Sequence, residues 1–256
     1  MASTFAKSAL TALLALAAPA FAQQAPDAPP PEVAAPEEAP APEAAPVEPR
    51  ELTPKEIAAF NQAVSDFTAG QTAQQAGDNQ GAVAKYDAAL PAIRVAVEAD
   101  PSNIDNVNFL ANALFADAAA YGALGQMGKL IPLYEEALPH WRRMVEAKPE
   151  DATGRNILAG ILIQLGNQKL AVQDTSGADP YYQEALTLGR KAVETQPDDK
   201  VAKNILLSAL IGASQTSMEE GLRDETLNLG KAMMADGSID AANRPSIEIL
   251  TGASAG

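Results

Sequence analysis

Three asparagines, Asn108, Asn156 and Asn204, recur at steps of 48 residues. Each side-chain amide carries two N–H donors and a carbonyl acceptor. Such amides can bind a ligand or tie neighbouring repeats in register; the residue type leaves both uses open. Four residues further on stand Asn112, Gly160 and Ser208, small or polar, and Gln164 extends the same face. A second set keeps the same step: Arg94, Arg142 and Arg190, each followed four residues later by Glu98, Glu146 or Glu194. That spacing predicts surface ion pairs within one helix, worth about 0.2–0.5 kcal/mol each, or a row of cations for an acidic partner.

Other chemistry has little to build on. There is no cysteine, which removes disulfides, zinc–thiolate sites, lipidated cysteines and cysteine nucleophiles. A Ser–His–Asp arrangement would depend on the single histidine, His140, which lies beside Trp141 where the flanking units carry Ala92 and Leu188. It reads as a partly exposed helix residue. The acidic pairs Glu135-Glu136 and Glu219-Glu220 read as water-facing. No glycine-rich phosphate loop, HExxH or calcium-loop spacing occurs. The sequence therefore assigns no catalytic residue, metal ligand or cofactor, and a non-enzyme is expected. With 18 basic against 33 acidic residues and a net charge of -15, the chain lacks the clustered cations that nucleic acid or an anionic membrane requires.

The elements that must position these residues repeat with them. Tyr86, Tyr134 and Tyr182 are 48 apart, as are Leu90, Leu138 and Leu186, Pro101, Pro149 and Pro197, and Leu110, Leu158 and Leu206. Within a unit, Tyr86, Leu90, Ile93 and Val97 form a stripe of helical spacing. In the third unit Gly189 replaces the bulky member, leaving room for a closer neighbour. The three prolines end the second helix of each unit, because proline disfavours helical geometry in the residue before it. The spacing predicts helices over 54–76, 80–99, 103–124, 128–147, 151–174, 180–195, 199–219 and 222–236. Thr53-Pro54-Lys55-Glu56 is a capping box. Asp179-Pro180 is expected to cap the sixth helix, with Thr175–Gly177 as the turn before it. Pro91 and Pro139 fall inside helices and are expected to kink them. A shortened fourth unit echoes at a step of 41, from Leu186 to Leu227 and from Arg190 to Lys231. Residues 237–256 are expected to cap it, with Ile247, Ile249 and Leu250 inward.

Two segments precede the repeats. Residues 1–22 read as a secretory signal peptide: Lys7, an apolar stretch over residues 8–18 too short to span a bilayer, and the small-x-small triplet Ala20-Phe21-Ala22. A periplasmic or secreted bacterial protein is expected, with no stable membrane span after cleavage. Residues 23–53 carry nine prolines between Pro26 and Pro49 among alanine and glutamate. They read as a disordered, extended tether.

The Tyr-x-x-Ala-Leu segments (Tyr86 to Leu90, Tyr134 to Leu138, Tyr182 to Leu186) and the helix-ending prolines resemble the tetratricopeptide repeat family over residues 54–236. The period is longer than the family's usual length of about 34, and its first-helix tryptophan and Leu-Gly landmarks are largely missing. The resemblance implies an all-α, right-handed αα-solenoid of about four helix-hairpin units (54–101, 102–149, 150–197, 198–236). It further implies a concave groove, lined by first-helix side chains, that holds a protein or peptide partner. The candidate partner-binding residues are then Asn108, Asn112, Asn156, Gln164, Asn204 and Ser208, in a scaffold for periplasmic complex assembly or envelope maintenance. The alternative is a carrier of small apolar ligands, with a pore near Phe109, Phe115, Tyr121 and Trp141. The oligomeric state is left open.

Overall fold

A computed structural model describes residues 48–252. The signal-peptide reading, most of the tether and the last four residues lie outside the described residues. Among those described, every regular element is a helix, as the alternation of stripes and breakers requires. The helices are α1 Pro54–Gln75, α2 Asn79–Ala99, α3 Ile104–Ala123, α4 Met127–Ala147, α5 Ala152–Ala171, α6 Thr175–Thr195, α7 Lys200–Thr216, α8 Leu222–Ala235 and α9 Arg244–Thr251. None is long and apolar enough to cross a membrane.

The starts are set by side-chain caps that repeat with the sequence. Asn103, Asp151 and Asp199 accept backbone N–H bonds in the first turns of α3, α5 and α7. Asp78 and Asp174 do so for α2 and α6. At α1, the Thr53 hydroxyl and the Glu56 carboxylate exchange bonds with each other's backbone N–H, the reciprocal cap the sequence predicts. Helix α6 corrects one expectation. It begins at Thr175, capped by Asp174, and runs through Pro180. Position 174 is in register with Asp78 and Gln126, the caps of α2 and α4, so the repeat overrides the local Asp179-Pro180 signal. The turn accordingly falls at Gln173, not at Thr175–Gly177. Gly77, Gly125 and Gln173, again 48 apart, all have positive φ, at 79°, 71° and 62°. The third unit places a glutamine where the others use glycine.

Consecutive helices pack on one another throughout the chain, and α5 also packs on α7. The stripe Tyr86, Leu90, Ile93 and Val97 is buried, as is its counterpart Tyr134, Leu138, Trp141 and Val145. Tyrosines stand on glycines of the preceding helix, Tyr86 over Gly70 and Tyr182 over Gly166, and Tyr182 also meets Gly212 of the following helix α7. Gly189 lies against the Leu206 backbone, where an added Cβ would meet its Cα at 3.1 Å. The closer neighbour for which the sequence leaves room at Gly189 is thus helix α7.

The C-terminal segment closes the last apolar face. Ile239 and Ile247 pack with Leu207, Ile211 and Met233, and Leu250 is partly buried against them. Ile249 is exposed, contrary to expectation: two residues from Ile247 on helix α9, it points roughly 200° away.

Candidate functional site

The six predicted partner-binding residues lie on α3, α5 and α7, and the structure divides them into three groups. On α3, Asn112 Nδ2 donates to the Asn108 backbone carbonyl at 2.8 Å and to its side-chain Oδ1 at 2.6 Å. The two amides form one half-buried unit. On α5, Asn156 and Gln164 are also half-buried, and neither side chain hydrogen-bonds to another described residue. Gly160 between them is buried.

On α7 the amide is occupied. Asn204 Nδ2 donates to the Lys200 carbonyl and the Ser238 carbonyl, both at 2.9 Å, and its Oδ1 accepts from the Asp240 N–H at 2.9 Å. Ser208, buried, donates to Asn204 O and to Asn243 Oδ1 at 2.8 Å. Asn243, itself buried, returns a bond from its Nδ2 to the Asn204 carbonyl at 3.0 Å. Asn204 and Ser208 thus hold the C-terminal segment in place. For this unit the asparagine is a structural tie, one of the two uses its chemistry allows.

At the other end of the row, the first unit carries Phe60 and Val64 in register with Asn108 and Asn112. Val64 and Ile57 are exposed, and Phe60 is half-buried. Phe60 meets Phe109 edge-on at 5.8 Å, and Phe67 meets Phe109 at 5.2 Å. The register positions therefore carry apolar side chains on α1, amides on α3 and α5, and a covered amide on α7. Repeat register applied to the first unit would have found the apolar end from the sequence.

The arginine row is corrected. None of the three pairs with the glutamate four residues on. Arg94 makes a two-pronged bond to Glu136 at 2.7 Å and 2.7 Å, Arg142 grips Glu184 at 2.6–3.2 Å, and Arg190 reaches Glu225 at 2.6 Å and 3.3 Å. Each bond joins the second helix of one unit to that of the next, along α2, α4, α6 and α8. The forked guanidinium matches a carboxylate best when both oxygens face it, and a neighbouring helix offers that where the same helix does not. Glu225 follows Glu184 by 41 residues, the shortened step of the fourth unit. At the first unit the acceptor position is Ala88, and no unit precedes it to supply an arginine.

The remaining sequence candidates are dispersed. Phe115 packs against Tyr134 and Trp141, centroids 6.1 Å and 6.2 Å apart, and Trp141 Nε1 donates to the Ala111 carbonyl at 3.2 Å. Tyr121 instead donates to Asp87 at 2.7 Å and borders an open cleft of about 390 Å³ with Lys129, Pro132 and Leu133. Phe109 belongs to the α1 patch. Of these four rings only Phe115 and Trp141 meet; Tyr121 and Phe109 serve separate contacts. His140 is half-buried, and burial lowers its pKa. Among the described residues no group of three His, Cys, Asp or Glu side chains is placed to hold a metal ion.

Two buried charged residues escaped the sequence reading. Arg155 bonds to the Pro149 carbonyl and to Thr195 Oγ1 at 3.4 Å, joining the ends of α4 and α6. Asp117 on α3 is wholly buried, and neither carboxylate oxygen accepts a hydrogen bond from an N–H or O–H group. The signal was available, since position 117 is in register with Leu165 and Ala213. No protein-family model matches the chain, and a comparison with curated proteins finds no match.

Proposed function

We propose that this protein is an exported scaffold of tetratricopeptide-like helical hairpins that binds a protein or peptide partner on its first-helix face. The observation that carries the reading is the pair of half-buried amides on α5, Asn156 and Gln164, unbonded among the described residues, in repeat register with the Asn108–Asn112 unit and the apolar Phe60 and Val64 on α1. A solenoid curved with this face inward would let an extended segment set an apolar side chain on α1. Its backbone amides would then meet α3 and α5. The Arg–Glu ladder on the second helices supports a rigid face, and a preorganised face loses little ordering entropy on binding. The role involves no catalytic group.

The test is a cross-linking capture from envelope extract with residues 23–256, against an Asn108→Ala/Asn156→Ala/Gln164→Ala variant of equal helicity. Asn204 and Ser208 stay unchanged, because they hold the C-terminal segment. A protein retained by the parent and lost by the variant supports the reading; equal capture by both overturns it.

A further inference from the structure

Asp117 poses a chemical question that the partner-binding face does not answer. An ionised carboxylate with no donor in a dry interior is among the costliest groups a fold can hold. The cation that acts on it, Arg94, is already committed through two bonds to Glu136. The neighbouring carboxylate is Asp87 on α2, which accepts at 2.7 Å from Tyr121, one turn along α3 from Asp117. Two neighbouring carboxylates, one of them buried without an N–H or O–H donor, are balanced by one proton between them. We propose that Asp117 carries that proton and donates it to Asp87, making a proton-loaded latch between α2 and α3, at the junction of the first two units.

The surroundings fix the direction of the switch. Around Asp117 stand Tyr86, Asp87 and Arg94 from α2 and Tyr121 from α3. Helix α4 adds Glu136, held by Arg94, and Lys129, at the cleft beside Asp87. Helix α1 presents the uncharged Gln74, bonded to the Tyr86 hydroxyl. Burial, followed by the adjacent Asp87 charge, lifts the Asp117 pKa to about 7, against a smaller opposing pull from Arg94. In the unfolded chain an aspartate titrates near 3.9. Below that value both states hold the proton and the latch contributes fully. Between there and about 7 only the folded state holds it, so this contribution falls as pH rises and is gone above 7. On release the proton passes to water and two carboxylates face each other across the junction.

The experiment follows the Asp117 side-chain carboxyl by 13C NMR titration in the parent chain, together with urea unfolding of parent and Asp117→Asn at pH 5 and pH 8. Asparagine keeps the shape and a donor toward Asp87 but has no proton to lose. The expected results are a carboxyl titration near neutrality and an Asn variant that gains on the parent between the two pH values. The gain in relative folding constant is expected to be on the order of 100-fold. A titration in the ordinary aspartate range, or parallel pH dependence of the two chains, overturns the proposal. The NMR arm needs no variant, so a poorly folding Asn chain leaves it decisive.

Discussion

Replacing Gly166 by alanine sets two well-measured effects against each other. Helix α5 would gain from the exchange, since glycine in a helix interior costs about 1 kcal/mol relative to alanine. The packing opposes it. An added Cβ would stand 2.8 Å from Tyr182 Cζ and 3.0 Å from both Cε atoms, well inside the roughly 3.5–4.0 Å at which carbons rest. The ring has little room to retreat. Tyr182 is fully buried and its hydroxyl donates to Asn167 at 2.6 Å; on the far side the ring meets Gly212 of α7. Overpacking of this kind costs about 1–3 kcal/mol, and displacing the hydroxyl bond adds about 1 kcal/mol. After subtracting the helix gain, the net loss is about 1–3 kcal/mol. At about 2–4 °C per kcal/mol for a chain of this size, the midpoint of thermal unfolding followed by circular dichroism should drop by about 2–12 °C. Gly128→Ala is the matched control. It lies in the first turn of α4 with nothing within 4 Å of an added Cβ, and it should be neutral or stabilising by up to about 1 kcal/mol. If Gly166→Ala proves as stable as the parent, the tyrosine-on-glycine contact is not what sets the spacing of α5 and α6.

Two further predictions concern the turns and the ladder. Gln173→Gly should stabilise the protein by about 0.5–1 kcal/mol, seen as a higher urea midpoint, because it removes a side chain from a backbone at φ 62°. The same change is already present at Gly77 and Gly125. A double-mutant cycle on Arg142 and Glu184, which are 47% and 32% exposed, should give a coupling of about 0.2–1 kcal/mol that shrinks in 1 M salt. The Arg142–Glu146 cycle should give none.

The sequence by itself determined the all-helical architecture and most of its boundaries. Apolar stripes, caps and helix-ending prolines are local signals, and a 48-residue period reports each of them three times. It also left room for a closer neighbour at Gly189, which has no side chain; the structure places Leu206 of α7 there. Only the tertiary structure decided which partner each polar group takes. Arg94, Arg142 and Arg190 have a glutamate in helical register, yet they bond across to the next unit, since fork geometry depends on how two helices lie together. Likewise Asn108, Asn156 and Asn204 are identical in residue type and register. Asn108 is tied to Asn112, Asn156 has no side-chain partner among the described residues, and Asn204 anchors the C-terminal segment, because their neighbours differ. Asp117 marks the same divide: its place in the repeat register labels it as an exception, but only packing buries it without an N–H or O–H donor. Chain-local free energies are written along the sequence, whereas the desolvation and pairing of a charge depend on distances that exist only once the helices have packed.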